Sequence, residues 1–267
     1  MANPAQKQDP LEARLAGLAL PGGAGWANEA RASALTRLRN MGLPGKRDEY
    51  WKFTDPTSLN LPAAPPAKCF VTDEALPFSD MDRLRIVFVD GVFDADASDD
   101  LVMAGVEIEL LSDAMARDIH WVRDLYGVLE TRGQTPVPRP HAALNTAFAQ
   151  NGVVIRATGH APRPVSLIYL HKSEDSDAIL HHVVKVENGA SLTILENGPA
   201  AARFSKSMEV QVGDDAAFHH IRLQGRDHER RAATHMFARL GTRAAYKSFT
   251  LTVNGVLTRN EQVVELA

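Results

Sequence analysis

The 267-residue sequence has a single cysteine, Cys69. One thiol forms no intramolecular disulfide, which fits a reducing compartment. No segment approaches eighteen consecutive apolar residues, so no membrane-spanning helix is expected. The first thirty residues show no basic start followed by an unbroken apolar run, so no secretory signal is read there. The cytoplasm is the expected location. Charge of one sign is also lacking. The 29 Lys and Arg stand against 33 Asp and Glu, a net charge of −4, so bulk attraction to nucleic acid or to an anionic membrane is not expected. Gly-x-Ser-x-Gly, a phosphate-cradling Walker loop and His-Glu-x-x-His are absent, and Gly22-Gly23-x-Gly25 lacks the lysine and the preceding strand. No enzyme is read from these motifs.

What remains is an ordinary globular composition, 45% hydrophobic and 23% charged. Three regions follow one another. Residues 1–68 form an N-terminal helical region with a strap and a proline-rich linker. Leu11, Leu15 and Leu18 have helical spacing, as do Trp26, Ala30, Ala34, Leu38 and Met41. Gly42 can take the left-handed position that ends the second helix, and Pro44 cannot continue it. Pro62, Pro65 and Pro66 then stiffen a linker. Residues 69–150 are mixed. Asp90-Gly91 between two β-forming runs signals a hairpin. Ser112 is a candidate cap for a helix from Asp113. Leu111, Met115, Ile119, Val122, Leu125 and Leu129 form a helical stripe broken midway. A short helix is read over 141–150. Residues 151–267 change texture to short β-rich runs separated by turn residues.

Those runs repeat. Segments beginning at Val186, Val212 and Leu240 can be stacked, 26 and 28 residues apart, each with an apolar residue, a tight turn and an alternating strand. A period of this length built from strands and turns indicates a solenoid. The predicted fold is therefore mainly β, a parallel β-helix core after an N-terminal helical region. An antiparallel sandwich has similar spacing and is the structural rival.

Candidate sites compete with structural readings. His181-His182 and His219-His220 suggest metal ligands. Neighbours on a strand point to opposite faces, however, and the pairs are out of phase with the repeat; His219 stacks over Thr193. Ordinary strand histidines are the expected reading. Cys69 alone cannot hold an iron–sulfur cluster, which needs several thiolates. The run 226–231 is basic and could be a docking face, but a solvated turn between coils explains it more cheaply and is the expected reading. Asp99-Asp100 and Asp214-Asp215 are read as turn residues. Glu187, Glu196 and Glu209 are the acids best placed for glycan cleavage, but they do not recur in register. In residues 46–55 the aromatic residues alternate with charges. Trp51 and Phe53 lie two apart, so in an extended strap both would face the body and anchor the N-terminal helices to it.

Residues 43–59, with Pro44, Arg47, Glu49, Trp51, Lys52, Phe53 and Thr54, resemble the N-terminal signature of the SufB/SufD family of iron–sulfur cluster assembly proteins. Residues 88–93, 143–157 and 258–266 resemble further family segments. The arm is SufD-like, because the additional N-terminal cysteines usual in SufB are missing. The resemblance implies a right-handed parallel β-helix. It implies partnership with a SufB-like subunit through the β-helix ends and with a SufC-like ABC ATPase through C-terminal helices. Family members continue well past Ala267, so it also implies a C-terminally shortened chain. The missing part would hold the final coils, a SufB-facing histidine and the SufC-binding helices.

The expected function is thus a non-catalytic scaffold subunit of iron–sulfur cluster assembly. No cofactor is expected on this chain alone; a cluster would sit at a joint with a partner of a full-length relative. A carbohydrate-active β-helix enzyme and a free-standing protein-binding adaptor are the alternatives, and a homodimer is a further reading.

Overall fold

Val186, Val212 and Leu240 lie side by side on three parallel strands, so the 26- and 28-residue offsets are the rise of one coil onto the next. The computed structural model describes residues 9–267 apart from Pro199 and Arg226. Its core is a parallel β-solenoid. In chain order the strands are β1 (Leu84–Val89), β2 (Val92–Asp94), β3 (Val102–Met103), β4 (Val106–Leu110), β5 (Val153–Ala157), β6 (Val165–Leu170), β7 (Asp177–Val186), β8 (Ser191–Asn197), β9 (Arg203–Val212), β10 (Ala217–Gln224), β11 (Arg231–Leu240), β12 (Ala245–Thr252) and β13 (Leu257–Leu266). One sheet has the order β12-β10-β8-β6-β1-β2 and the other β13-β11-β9-β7-β5-β4-β3. Consecutive strands after β5 alternate between the two sheets, and like strands stack in parallel. The parallel solenoid is observed and the sandwich rival is not.

The tight turns show why the repeat was legible. Gly189, Asp215 and Arg243 occupy the same place in successive coils, and each has a positive φ, of 71°, 55° and 55°. Asn188 Oδ1 accepts from the Asp214 N–H at 3.0 Å, and Asp214 Oδ1 accepts from the Thr242 N–H at 2.7 Å, so polar side chains ladder from turn to turn. A Cβ at Gly213 would sit 2.4 Å from Asn188 Oδ1, so the close stacking of turns needs glycine there.

The mixed region caps the first coil. The Asp90-Gly91 turn closes an antiparallel β1–β2 hairpin, as expected, with β1 running parallel to β6. On the other sheet β4 pairs antiparallel with β5. These antiparallel edges end the parallel stack on that side.

Helices cover the outer face of the seven-stranded sheet. They are α1 (Pro10–Leu15), α2 (Gly25–Met41), α3 (Thr57–Asn60), α4 (Leu111–Met115), α5 (Val128–Arg132) and α6 (Pro140–Phe148). Asp9 caps α1 by accepting from the Leu11 N–H at 2.9 Å, and α2 ends at Gly42 with φ 69°, as the sequence predicts. Every residue of α6 is buried. It lies between the solenoid and α1 and α2, with Leu11, Leu15, Ala34 and Leu38 packed on Ala143, Leu144, Ala147 and Phe148. The broken stripe over 111–129 resolves into α4, a 3-10 turn at Trp121–Asp124 and α5. Ser112 is not the cap expected of it. Leu110 holds that position and gives no side-chain cap, because α4 starts directly from the end of β4.

Two expectations about the strap are corrected. Residues 49–51 form a 3-10 turn rather than an extended segment, so Trp51 and Phe53 point apart: Trp51 is 5% exposed and Phe53 94%. The proline-rich stretch is also no free linker. Arg203, on the outer face of β9, donates to the carbonyls of Leu59 (3.3 Å), Leu61 (2.6 Å), Pro62 (3.4 Å) and Ala63 (3.4 Å). Proline leaves these carbonyls without helix or sheet partners, and a buried guanidinium supplies the donors. Arg203 is held in turn by Asp177 at 2.6 Å, which also pairs with Arg14 at 2.8 Å. Arg203→Met should therefore free the strap and lower stability by about 3 kcal/mol. Limited proteolysis would then cut within residues 59–68, and unchanged resistance in that stretch would refute the assignment.

Candidate functional site

Inside a β-solenoid every second residue of a strand faces the interior, and stacked coils put equivalent residues in columns. Two such columns change character along the axis. On one sheet Leu167, Glu196, Arg222 and Thr250 are successive partners. On the other, Leu180, Lys206, Thr234 and Asn260 are. The interior thus runs from apolar through charged to polar, ending at β12 and β13.

The charged layer centres on Glu196, which is fully buried. Its Oε1 accepts from Lys206 Nζ and, at 3.1 Å, from the Tyr169 hydroxyl. Its Oε2 lies 3.3 Å from His220 Nε2 and 3.5 Å from Arg222 Nε. Arg222 also donates to Thr234 Oγ1 at 2.5 Å and to Asn260 Oδ1 at 3.1 Å, joining the charged layer to the polar one. His182 Nδ1 accepts from the Val153 N–H at 3.1 Å, so Nε2 carries the proton and donates to Tyr169 at 3.1 Å. Tyr169 in turn donates to Glu196.

The electrostatics follow from one anion facing several cations. Burial pushes the Glu196 carboxyl up, but Lys206, His220 and Arg222 outweigh it and hold it well below the usual carboxylate range. Burial pushes Lys206 down to about 8, opposed by Glu196 and assisted by Arg222. Burial also lowers His220 and keeps it neutral. With His220 neutral, Lys206 and Arg222 face a single carboxylate, so the layer carries a net positive charge in an enclosed space. Lys206 can exchange a proton close to neutral pH.

The histidine pairs split as the alternation predicts. His182 and His220 face inward, His181 faces the covering helices, and His219 lies over Thr193. Among the described residues no group of three or more His, Cys, Asp or Glu is arranged to hold a metal. Cys69 is half-buried, and burial, then Asp90, Glu174 and Asp227, push its thiol up. That is the reverse of what thiolate ligation or nucleophilic attack needs.

The three candidate acids have separate structural partners. Glu187 pairs on the surface with Arg156 at 2.7 Å and Lys185 at 2.9 Å. Glu209 lies outside the sheet, where it accepts from the N–H groups of Gly127 (2.5 Å), Leu129 (2.7 Å) and Glu130 (3.0 Å) and from His181 Nε2 (2.8 Å). It therefore caps α5, satisfying the free donors of that helix start. Glu196 is interior. They form no paired-carboxylate cleft.

The basic run 226–231 is corrected in part. Arg226 lies outside the described residues. Asp227 and Arg230 are fully buried rather than solvated. Asp227 pairs with His171 at 2.7 Å and accepts from the Glu229 and Arg230 N–H groups at 3.0 Å. Arg230 donates to the carbonyls of Asp227 (2.9 Å), Val253 (3.2 Å) and Asn254 (3.1 Å). A corner that turns inside the coil stack strands its carbonyls, and Arg230 satisfies them.

Among the signature positions, Pro44 and Trp51 are buried, Thr54 is half-buried, and Arg47, Glu49, Lys52 and Phe53 are exposed. Trp51 packs with Leu59, Ala233 and Leu257 and lies edge-on to His141, with the Arg259 guanidinium 4.1 Å over its ring. Arg259 also donates to the Tyr50 carbonyl at 2.7 Å. Residues 43–59 are thus clamped onto β13, and the two segments singled out at opposite ends of the sequence touch.

β12 and β13 are the outer strands of their sheets. Phe249, Leu251, Val264 and Leu266 are exposed there.

Residues 169–267 match the family model described as "SUF system FeS cluster assembly, SufBD core domain". The matched segment begins at Tyr169 and contains the whole charged layer. No curated protein matches the chain. Among the described residues no helix is long and apolar enough to cross a membrane.

Proposed function

We propose that the chain is a SufD-type scaffold subunit of iron–sulfur cluster assembly, acting in the cytoplasm with a SufB-like subunit and a SufC-like ABC ATPase. The observation that carries this reading is the family match over 169–267, which falls on the solenoid. The clamped 43–59 signature supports it independently. The subunit is non-catalytic in this reading. Its candidate acids have structural partners, and Cys69 is poorly suited to ligation. The nascent cluster is cargo of the assembly, held where subunits meet.

Affinity capture of the tagged chain from its source cells under anaerobic conditions tests this reading. Recovery of a SufB-like chain and an ABC ATPase in comparable amounts is expected. Capture of neither would contradict it.

A further inference from the structure

His171 directly follows β6, and its side chain is fully buried together with that of Asp227. Both of its ring nitrogens face acceptors. Nδ1 lies 2.7 Å from Asp227 Oδ2, and Nε2 lies 2.9 Å from the Ser173 carbonyl oxygen. A neutral imidazole has one N–H and one lone pair, whereas an imidazolium has two N–H groups. Only the imidazolium donates to both oxygens. Either neutral tautomer would set a lone pair against an oxygen where water does not reach. Burial opposes the charged ring, but Asp227, the Ser173 carbonyl and Asp90 of the β1–β2 turn outweigh it. Asp90 is fixed there by accepting from the Lys172 N–H at 2.9 Å. The cation beside Asp227 is Arg230, which donates to the Asp227 carbonyl at 2.9 Å.

This pair stands between two tethers of the chain at 67–68. The Ala67 N–H donates to the Glu174 carbonyl at 2.7 Å, in the turn that His171 holds through Ser173. The Lys68 N–H donates to Glu229 Oε2 at 2.8 Å, and the Glu229 N–H donates to Asp227 Oδ1 at 3.0 Å. Each end of the pair therefore supports one tether, and Cys69 follows directly. Arg203 anchors the preceding carbonyls at 59–63 with a charge that does not titrate near neutrality.

We propose that the His171–Asp227 pair is a proton-operated latch: the doubly protonated ring locks residues 67–69 onto the solenoid, and loss of one proton releases that segment while the coils stay folded. The latch is independent of the assembly role.

Amide hydrogen exchange on the full chain between pH 6 and 9, read as protection factors, tests this. An opened segment has an ordinary histidine that titrates near 6.5. The protection of Ala67 and Lys68 should therefore hold below 6.5, fall about tenfold per pH unit above it, and level off at the folded His171 midpoint. Gly213 and Gly241, whose N–H groups donate to Val186 and Val212 at 2.8 Å, should keep their protection throughout. In His171→Gln the Ala67 and Lys68 protection should be low and independent of pH. Because that variant can lose the whole corner, ring nitrogen shifts of the unaltered chain give a second readout. Both His171 nitrogens should carry protons at pH 6.5, with a midpoint above that value that coincides with the end of the protection loss. A midpoint at or below 6.5, or constant protection of Ala67 and Lys68 across the range, would overturn the proposal.

Discussion

Glu196→Ala is expected to destabilise the chain by about 3–5 kcal/mol, the cost of leaving buried charges without their counter-ion. Lys206 is 2% exposed and Arg222 6%, so neither can recover its hydration by a rotamer change. The Tyr169 hydroxyl would lose its acceptor as well. Lys206→Met should cost less. It removes one cation and leaves Glu196 with Arg222 and His220, and it puts an apolar chain of similar length in the core. The order of the two effects follows from the count of charges: there is one carboxylate and more than one cation. The Glu196 contribution carries a pH signature. Its pKa is depressed in the folded state, so its stabilisation is present above the unfolded carboxylate pKa and is lost as pH falls through the folded value. Lys206, also depressed, has the opposite consequence: the folded state gives up that proton near pH 8 and the unfolded chain nearer 10.5, so its charge weakens the fold at neutral pH and that penalty is relieved between those values. Denaturant midpoints at constant slope would measure both variants. A Glu196→Ala midpoint within 1 kcal/mol of the parent would show that the layer is not the coupled network described.

The interior was partly legible. The alternation of Leu192, Ile194 and Glu196 puts the acid at an inward position, and the 26-residue offset lays Arg222 directly beside it. The coil register was read correctly from turn residues, whose φ requirements leave a strong local signal. The charged layer was missed because Lys206 sits on the other sheet. Its approach to Glu196 depends on how far apart the two sheets lie, which no spacing within one strand reports. The strap failed for a different reason. Whether Trp51 and Phe53 share a face depends on a 3-10 turn, and one turn of that kind changes a two-residue alternation into opposite directions. Arg203 and Arg230 were not legible either, since each satisfies carbonyls brought to it by tertiary packing.

Acidification should begin to unfold the chain above the carboxylate range. Burial holds His141 and His182 at about 3 and His235 at about 4. Around His141 stand Arg14, Arg203, Arg259 and His235, all repelling a proton. His182 faces Lys206 and His181, with Glu196 opposing them, and His235 faces Arg139 and Arg259, with Glu261 opposing. In the unfolded chain each takes a proton near 6.5. These folded values are depressed, so the stability they support is present above 6.5 and is lost as pH falls. By pH 5 each histidine favours unfolding by about 2 kcal/mol, and the three together by about 6 kcal/mol. Domains of ordinary stability have about 5–15 kcal/mol in all. His171 works against this trend. Asp227 overcomes the effect of burial and raises its pKa, so that pair still supports the fold below 6.5 and loses its contribution as pH rises through the folded value. Three depressed histidines outnumber it. Circular dichroism and tryptophan fluorescence should show cooperative loss of structure between about pH 5.5 and 4. A native signal at pH 4 would mean that these imidazoles accept protons without leaving the fold.

Both results depend on parallel stacking that brings residues a coil apart into contact. Thr193, His219 and Lys247 are successive outward neighbours on β8, β10 and β12. Spin labels at Thr193→Cys and Lys247→Cys, in a chain carrying Cys69→Ser, measure that stacking directly. Two strand spacings separate the positions by about 10 Å, so strong dipolar broadening is predicted in the continuous-wave spectrum. A spectrum equal to the sum of the two singly labelled chains would contradict the stacked register on which the charged interior is built.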